Sequence, residues 1–500
     1  MVLETKQFHG AMTGARFIES LRDGREVWLD GQKVADVPSH PAFKDFVANL
    51  ARIYDLQTSA ELRERMTYVS PDSGNRVSLS WLVPESRADL QRKRRNSEIW
   101  SQQTWGQLGR SPDILAPYIT SLAVRRDALG SVKNPHCDFG ENAVNYARYC
   151  RENDLFLTHA LGDPQVDRSE QPQNEQRQAP ESEEISLHVV RETPEGVIVR
   201  GGKQLATAAA VSNETYVSLS QTFMRRNDPR FVLAFSIPSN SPGLKILCRE
   251  PISRWLGSWG HPFQNLDEQD CMLFFEDVLV PWDRLFMLYE STPMVQSAAF
   301  AGLNSFGYAN VCRVQVRMRL FTAVATLIAQ AIGVYEYREV AAKLGEMATY
   351  CAMWDIAIDG MENRAYQNAE GEWVLGPGPG MTVWFAQTSS RMAELLKQIA
   401  GSGMIMQPSE NDLANAELRP YLNQYMRGKG VDVAYKSRLF RIAHELVASS
   451  FGMRQEIYEY WHGGDPNRNR INLLRAYDQA ELMDRIKELC AQPLPHGELS

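Results

Sequence analysis

The strongest constraint on the fold is a double switch in apolar period, from helical spacing to strand spacing and back. Residues 11 to about 150 are spaced for helices. MTGARFIESLRD opens with a Thr cap and sets Phe17, Ile18 and Leu21 on one face, and VADVPSHPAFKDFVANLARIYDL, DILAPYITSLAV and ENAVNYARYCREN repeat the period. This first part is expected to be all-α. From about 155 to 290, ISLHVVRE and VIVRGGKQLATAA flank a TPEG turn, and ETYVSLSQTF, RFVLAFSIP, LKILCREP and LDEQDCMLFFEDVLVP continue at strand length. Helical spacing then returns: NVCRVQVRMRLF…DIAIDGM is long enough for two packed helices, with more in VWFAQTSSRMAELLKQIAG, VDVAYKSRLFRIAHELVASSFGM and DQAELMDRIKELCAQ. GEWVLGPGPGM reads as a loop. The order predicts an α+β chain: an N-terminal α-helical domain (1–153), a middle antiparallel β-barrel (154–290) and a C-terminal helical bundle (291–500). Early in the middle part lies RSEQPQNEQRQAPESEE (168–184), almost without apolar residues and expected to be a mobile loop or lid.

Charge and motifs exclude several function classes. A net charge of −8 argues against a nucleic-acid surface, and the basic run QRKRR (91–95) reads as a solvated helix face. Seven scattered cysteines with no C-x-x-C make neither a disulfide framework nor a metal site. MVLETKQFHG has no apolar core of a secretory signal, and FTAVATLIAQAIGVY (321–335) is too short to span a bilayer, so a cytoplasmic protein without a membrane partner is expected. No G-x-S-x-G, Walker A or H-E-x-x-H occurs.

What remains are polar groups at element ends. In GRSPDI (109–114), Ser111 can cap a helix, Pro112 suits its first position and Asp113 its first turn. Arg110 would then lie just outside a helix N-terminus, where the dipole gives an arginine nothing but an anion shared by both is favoured. The ordinary alternative is an arginine on a solvated turn. His159, in DLFLTHALGDPQVDR, sits where a helix-like stretch hands over to the β part; a histidine among Leu and Ala also serves as a satisfied interior side chain. Thr207 in GGKQLATAAAV is explicable as a strand residue. In GMRQ (452–455), a glycine inside a helical pattern costs roughly 1 kcal/mol relative to Ala and points to close approach by something.

Taken together, GRSPD (109–113), ENDLFLTHAL with PQVDR (152–168), FEDVLVPWDRLF (275–286), GSGMIMQPSENDL with ELRPYLNQYMRG (401–428) and the N-terminal MTGARFIESLRDGREVWLDGQKVADVPSHPAF resemble the 4-hydroxyphenylacetate 3-monooxygenase oxygenase-subunit family of two-component flavin monooxygenases. The resemblance implies an acyl-CoA-dehydrogenase-like fold, a homotetramer, and FADH2 from a separate NAD(P)H:flavin reductase, bound between barrel and bundle. It carries flavin contact onto His159, Ala160, Leu161, Gln165, Val166, Asp167, Arg168, Thr207, Gly452, Met453, Arg454 and Gln455. Arg110 and His159 fall on catalytic, substrate-side positions, with Ile114, Leu219 and Ser220 also facing the substrate.

The implied reaction is hydroxylation of a phenol ortho to its hydroxyl by molecular oxygen, through a flavin C4a-hydroperoxide. A phenol's pKa of ~10 must fall by about three units for ionisation near neutrality, roughly 4 kcal/mol, and an adjacent cation supplies about 1–3 units. Arg110 with a helix N-terminus would provide much of that, and His159, titrating near ~6.5 when unperturbed, would take the proton or hydrogen-bond the peroxide. Phenol-hydroxylating members commonly carry a tyrosine where this chain has Ile114. That substitution points to a bulkier or differently held phenol, such as a tyrosine-derived intermediate of secondary metabolism. The alternatives are a non-phenolic substrate or an acyl-CoA-dehydrogenase-like flavin oxidoreductase. The related 4-hydroxybutyryl-CoA dehydratase needs cluster-binding cysteines at a spacing absent here.

Overall fold

Amphipathic helices with side-chain caps form the first third of the chain. In the computed structural model, which describes residues 8–166, 185–219, 228–252, 259–290, 292, 295, 307–376 and 379–492, helix Gly14–Ser20 is capped by Thr13, as the sequence predicts, and helix Phe139–Asn153 by Asp138. Helices Lys44–Thr58, Arg87–Gln103 and Ala116–Val124 lie between them. The last residue of this part, Asp154, is left-handed (φ 49°). Its buried carboxylate accepts from Met12 N (2.8 Å), Gln57 Nε2 (2.6 Å) and Trp81 Nε1 (2.9 Å), which ties the chain down just before it enters the sheet. The expectation of an all-α first part is corrected by four short strands, β1 (Glu26–Leu29), β2 (Gln32–Lys33), β3 (Thr67–Val69) and β4 (Arg76–Ser78). β1 escaped notice because four residues are too few to show a period.

Strands β6 (His188–Thr193), β7 (Gly196–Thr207), β8 (Glu214–Val217), β9 (Leu233–Pro238), β10 (Leu244–Cys248) and β11 (Asp270–Pro281) appear where the strand-length runs predicted them, whereas β5 (Leu157–Ala160), in a stretch read as helix-like, and β12 (Leu285–Leu288) were not predicted. They group into two sheets, β2-β1-β10-β11-β7-β6 and β12-β9-β8-β5. Most pairs are antiparallel, but β1 with β10 and β5 with β8 run parallel, which departs from a purely antiparallel arrangement. The sheets share one apolar core, where Phe235 meets Phe275 edge-on (6.2 Å), and an isolated bridge between Gly162 and Gln204 links the end of β5 to β7.

A second core is built by helices Gly307–Ala331, Arg338–Asn363, Pro379–Ala400 and Val433–Val447. Helix Ser450–Trp461 adds Phe451 to it, and helices Pro466–Ala476 and Ala480–Cys490 follow. The expected loop GEWVLGPGPGM is not wholly loop, because Trp373–Val374 pairs with Tyr366–Gln367 in a small hairpin. The result is the α, β, α order that the sequence predicts. Among the described residues no helix is long and apolar enough to cross a membrane.

Candidate active site

The loop between helices Arg87–Gln103 and Ala116–Val124 carries Arg110, and its path is set by contacts from the C-terminal helices. Trp105 and Gly106 are both left-handed, at φ 55° and 67°. A Cβ on Gly106 would come within 2.4 Å of the Arg313 carbonyl, so the turn lies directly on helix Gly307–Ala331. Gln107 is gripped from both sides: its carbonyl accepts from Gln455 Nε2 (2.6 Å) and its side-chain oxygen from Arg317.

The helix start predicted at Ser111 is not there. The helix begins at Ala116, with Pro117 in its first turn, and the Ser111 hydroxyl donates to Asp113 Oδ1 (2.5 Å) instead of capping. Burial raises the Asp113 carboxyl to about 6. Arg110 therefore has no helix N-terminus directly behind it. The backbone N–H groups of Gly109 and Arg110 are instead bound by the carboxylate of Glu268, at 2.9 and 2.7 Å.

Strand β5 brings His159 to the same place. Arg110 Nη2 lies 3.2 Å from His159 Nε2. A guanidinium can only donate, so Nε2 offers its lone pair and the imidazole proton sits on Nδ1. Burial, and then the charge of Arg110, lowers His159 to about 3, so the ring is neutral near neutral pH and does not titrate near 6.5. The other terminal nitrogen, Arg110 Nη1, donates to the Tyr458 hydroxyl (2.7 Å) and to the Gly109 carbonyl (3.3 Å).

Arg110 differs from the other buried arginines. Arg25, Arg284, Arg313 and Arg317 each have a carboxylate within reach, from Asp23, Glu214, Glu459 and Glu459 respectively. Among the described residues the Arg110 guanidinium has none, and its buried Nε has no hydrogen-bond partner. Burying a cation without an anion is costly, so such a site is completed by an anionic or polarisable partner.

Two of the predicted flavin-side residues meet on one carboxylate. Asp270 accepts from Thr207 Oγ1 (2.9 Å), Arg454 Nε (2.9 Å) and Nη2 (2.5 Å), and Arg249 Nε (3.0 Å). Burial alone would raise Asp270, but Arg454 and Arg249 outweigh it and hold the carboxyl at about 2. Arg454 also donates to Glu268 (2.8 Å), so one chain of hydrogen bonds runs from Thr207 through Asp270, Arg454 and Glu268 to the Arg110 backbone.

Gly452 lies in the first turn of its helix, which Ser449 caps, rather than mid-helix. Its N–H reaches the Ser449 hydroxyl (3.1 Å), and a Cβ would sit 2.6 Å from the Glu445 and Leu446 carbonyls, so the close approach is by backbone. Gln455 is buried and spent on Gln107, whereas Met453 is exposed. Ala160 is buried in β5, and the Leu161 carbonyl accepts from Lys203 (3.3 Å). Gln165 is exposed, Val166 and Leu205 leave 70% and 65% of their surface open, and the bridge at Gly162 sets their two segments side by side. Ile114 and Leu219 are buried. Asp167, Arg168, Ser220 and the expected lid 168–184 lie outside the described residues.

Sequence reasoning missed Glu268, Asp270 and Tyr458. The acids in LDEQD (266–270) lie at the entry to β11, where a charged cluster ordinarily reads as a turn; Tyr458 lies four residues after Arg454, a spacing that places both on one helix face.

Residues 13–287 match the family described as 4-hydroxyphenylacetate 3-hydroxylase N terminal, and residues 295–491 its C terminal part. The chain is 34% identical to the 4-hydroxyphenylacetate 3-monooxygenase oxygenase component of Thermus thermophilus, covering 97% of this chain and 98% of that protein. It is 32% identical to the 4-nitrophenol 2-monooxygenase oxygenase component of a Rhodococcus species, covering 93% and 88%. A crystal structure of a 4-hydroxyphenylacetate 3-monooxygenase oxygenase component complexed with FAD and 4-hydroxyphenylacetate superposes with a TM-score of 0.87 at 33% identity, over 96% of this chain and 98% of that one. The chain belongs to the 4-hydroxyphenylacetate 3-hydroxylase family.

Proposed function

We propose that this protein is the FAD-dependent oxygenase of a two-component monooxygenase, hydroxylating a phenolic substrate ortho to its hydroxyl, with FADH2 supplied by a separate NAD(P)H:flavin reductase. The observation that carries the reading is Arg110: a buried guanidinium with no carboxylate among the described residues, a spare Nε–H and a neutral histidine at 3.2 Å. The names of the relatives and the FAD in the similar crystal structure support it.

The residues present fit the cofactor. The exposed apolar side chains of Val166 and Leu205 beside Gln165 suit the face of a flat ring system, and Leu161, Thr207 and Met453 would complete its surroundings. Bound reduced FAD supplies, with molecular oxygen, an electrophilic oxygen atom. The chain's own residues prepare the acceptor. A phenol hydroxyl at Arg110 competes with the guanidinium for the Nε2 lone pair of His159, so neutral His159 accepts its hydrogen bond and orients it while Arg110 stabilises the charge on the oxygen as the phenol ionises. With an opposite charge worth about 1–3 pKa units, much of the three-unit shift a phenol of pKa ~10 needs near neutrality comes from this one cation.

Glu268 and Arg454 fix the loop that carries Arg110, so its position is set before substrate arrives. Ile114 leaves that side of the site without a hydroxyl donor, which favours a phenol held chiefly through Arg110 and His159. The apolar stripe of Leu482, Met483, Ile486 and Leu489, exposed on helix Ala480–Cys490, supports assembly with further copies of this chain into the expected homotetramer.

The test is product analysis by mass spectrometry: purified protein, a generic flavin reductase, FAD, NADH and a panel of tyrosine derivatives and substituted phenols. The expected product carries one added oxygen atom beside the original hydroxyl. NADH consumption without oxygenated product from any phenol overturns the reading.

A further inference from the structure

We propose that Tyr458 is a positioning residue: its hydroxyl, as an uncharged acceptor, holds the Arg110 guanidinium against His159 without neutralising the charge a phenolic substrate would meet. This rests on the function proposed above.

The geometry is specific on both sides of the contact. Arg110 Nη1 donates to the Tyr458 hydroxyl at 2.7 Å while Nη2 reaches His159 at 3.2 Å, so the two terminal nitrogens are fixed in different directions. A long arginine side chain with nothing at Nη1 would keep much of its rotamer freedom. The tyrosine ring is itself held. His462 stacks on it at 5.1 Å with an interplanar angle of 7°, and the Arg454 guanidinium lies 4.7 Å from its centroid. On the loop side, a Cβ at Gly109 would sit 2.4 Å from Tyr458 Cζ and 2.5 Å from its hydroxyl oxygen. Glycine at 109 is what lets the hydroxyl reach Arg110.

The chemical type of the anchor matters as much as its place. The charged groups around the Tyr458 ring are Arg110, Arg313, Arg454, Glu268 and Glu459, with His462 stacked on it. Burial raises the Tyr458 phenol above its ordinary value, against the pull of Arg110 and Arg313, so it stays protonated near neutrality. A carboxylate there would form a buried ion pair and cancel the cation, as Glu459 does for Arg313. Where this site does use a carboxylate on Arg110, Glu268 binds the backbone N–H and leaves the guanidinium alone. A phenol gives direction without taking charge.

The test titrates 4-nitrophenol bound to the full-length protein, reading the visible absorbance of its anion. In the wild type the apparent pKa of the bound probe falls below that of the free probe. Tyr458→Phe keeps the ring and removes the hydroxyl, and the bound probe's pKa should rise by about one unit, a tenfold weaker preference for the anion. Gly109→Ala keeps the hydroxyl and displaces it, and should shift the pKa in the same direction, which covers a Tyr458→Phe protein that fails to fold by near-UV circular dichroism. In an Arg110→Lys background, which lacks the planar fork whose two terminal nitrogens reach Tyr458 and His159 separately, Tyr458→Phe should change nothing further. A wild type that leaves the probe's pKa unmoved removes the proposed function and this inference with it. A wild-type shift that both single variants retain overturns the inference alone, as does a Tyr458→Phe effect equally large in the Arg110→Lys background, the mark of a purely structural role.

Discussion

Glu268→Gln tests whether the loop carrying Arg110 is held by a distant charge. The carboxylate is fully buried and uses both oxygens: Oε1 accepts from Gly109 N (2.9 Å) and Arg454 Nη1 (2.8 Å), and Oε2 from Arg110 N (2.7 Å). Glutamine keeps one acceptor oxygen. In its better orientation that oxygen stays on Gly109 and Arg454, and the new amide NH2 faces the Arg110 N–H, leaving a buried backbone donor unpaired at a cost of about 1–3 kcal/mol. Arg454 retains Asp270 but loses half its charge partnership. Breaking a buried pair by removing one partner costs about 3–5 kcal/mol in full, so with Asp270 still in place a total loss of roughly 3 kcal/mol is expected. Urea denaturation of wild type and variant without flavin reads the stability, and kcat/KM for a phenol reads the loop, which should lose at least about tenfold because Arg110 moves with its backbone. The double variant Glu268→Gln with Arg454→Met should be less destabilised than the sum of the singles, since each removes the other's partner. A Glu268→Gln protein within about 0.5 kcal/mol of wild type, the range of an ordinary surface change, would refute the reasoning.

Arg110→Ala should abolish hydroxylation while the melting curve stays close to wild type, because the guanidinium is joined to no carboxylate; retention of most product yield counts against its role. Gly452→Ala should destabilise by about 1–3 kcal/mol through overpacking, since its Cβ would lie 2.6 Å from two backbone carbonyls that can yield only if the helix shifts; unchanged denaturation would contradict that. His159, lowered to about 3 in the folded protein from ~6.5 unfolded, contributes stability that is fully present above pH ~6.5 and is lost as pH falls toward 3. At pH 5 that loss is about 2 kcal/mol, so His159→Asn should lose that much less than wild type between pH 7 and 5 when denaturation is compared at both; equal losses would show that the ring titrates normally.

The secondary structure was largely written in local pattern. Strands β6 to β11 fall where alternating runs lie, and Gly307–Ala331 and Arg338–Asn363 where the long helical period returns, because one buried face imposes its period on the chain whatever it packs against. The acid cluster at Glu268 and Asp270 and the tyrosine at 458 carried no comparable signal, since a charge or a hydroxyl gains meaning only from what it faces.

GRSPDI shows where local reading stops. Unaided, the chain's pattern established the α, β, α order and, through ordered strings shared with one family, singled out Arg110 and His159. Whether Ser111 starts a helix was decided elsewhere. A side-chain cap is worth about 1 kcal/mol, whereas leaving the Gly109 and Arg110 N–H groups and the Glu268 carboxylate buried and apart would cost several. The costlier loss is the one the fold avoids: the helix begins at Ala116, and a carboxylate 158 residues along the chain from Arg110 takes the place of the cap. Likewise it is the packed molecule that pairs Thr207 with Arg454 through Asp270 and seats Tyr458 on Gly109. Partners so distant in sequence are chosen by how sheets and helices close around them, and no local propensity encodes that closure.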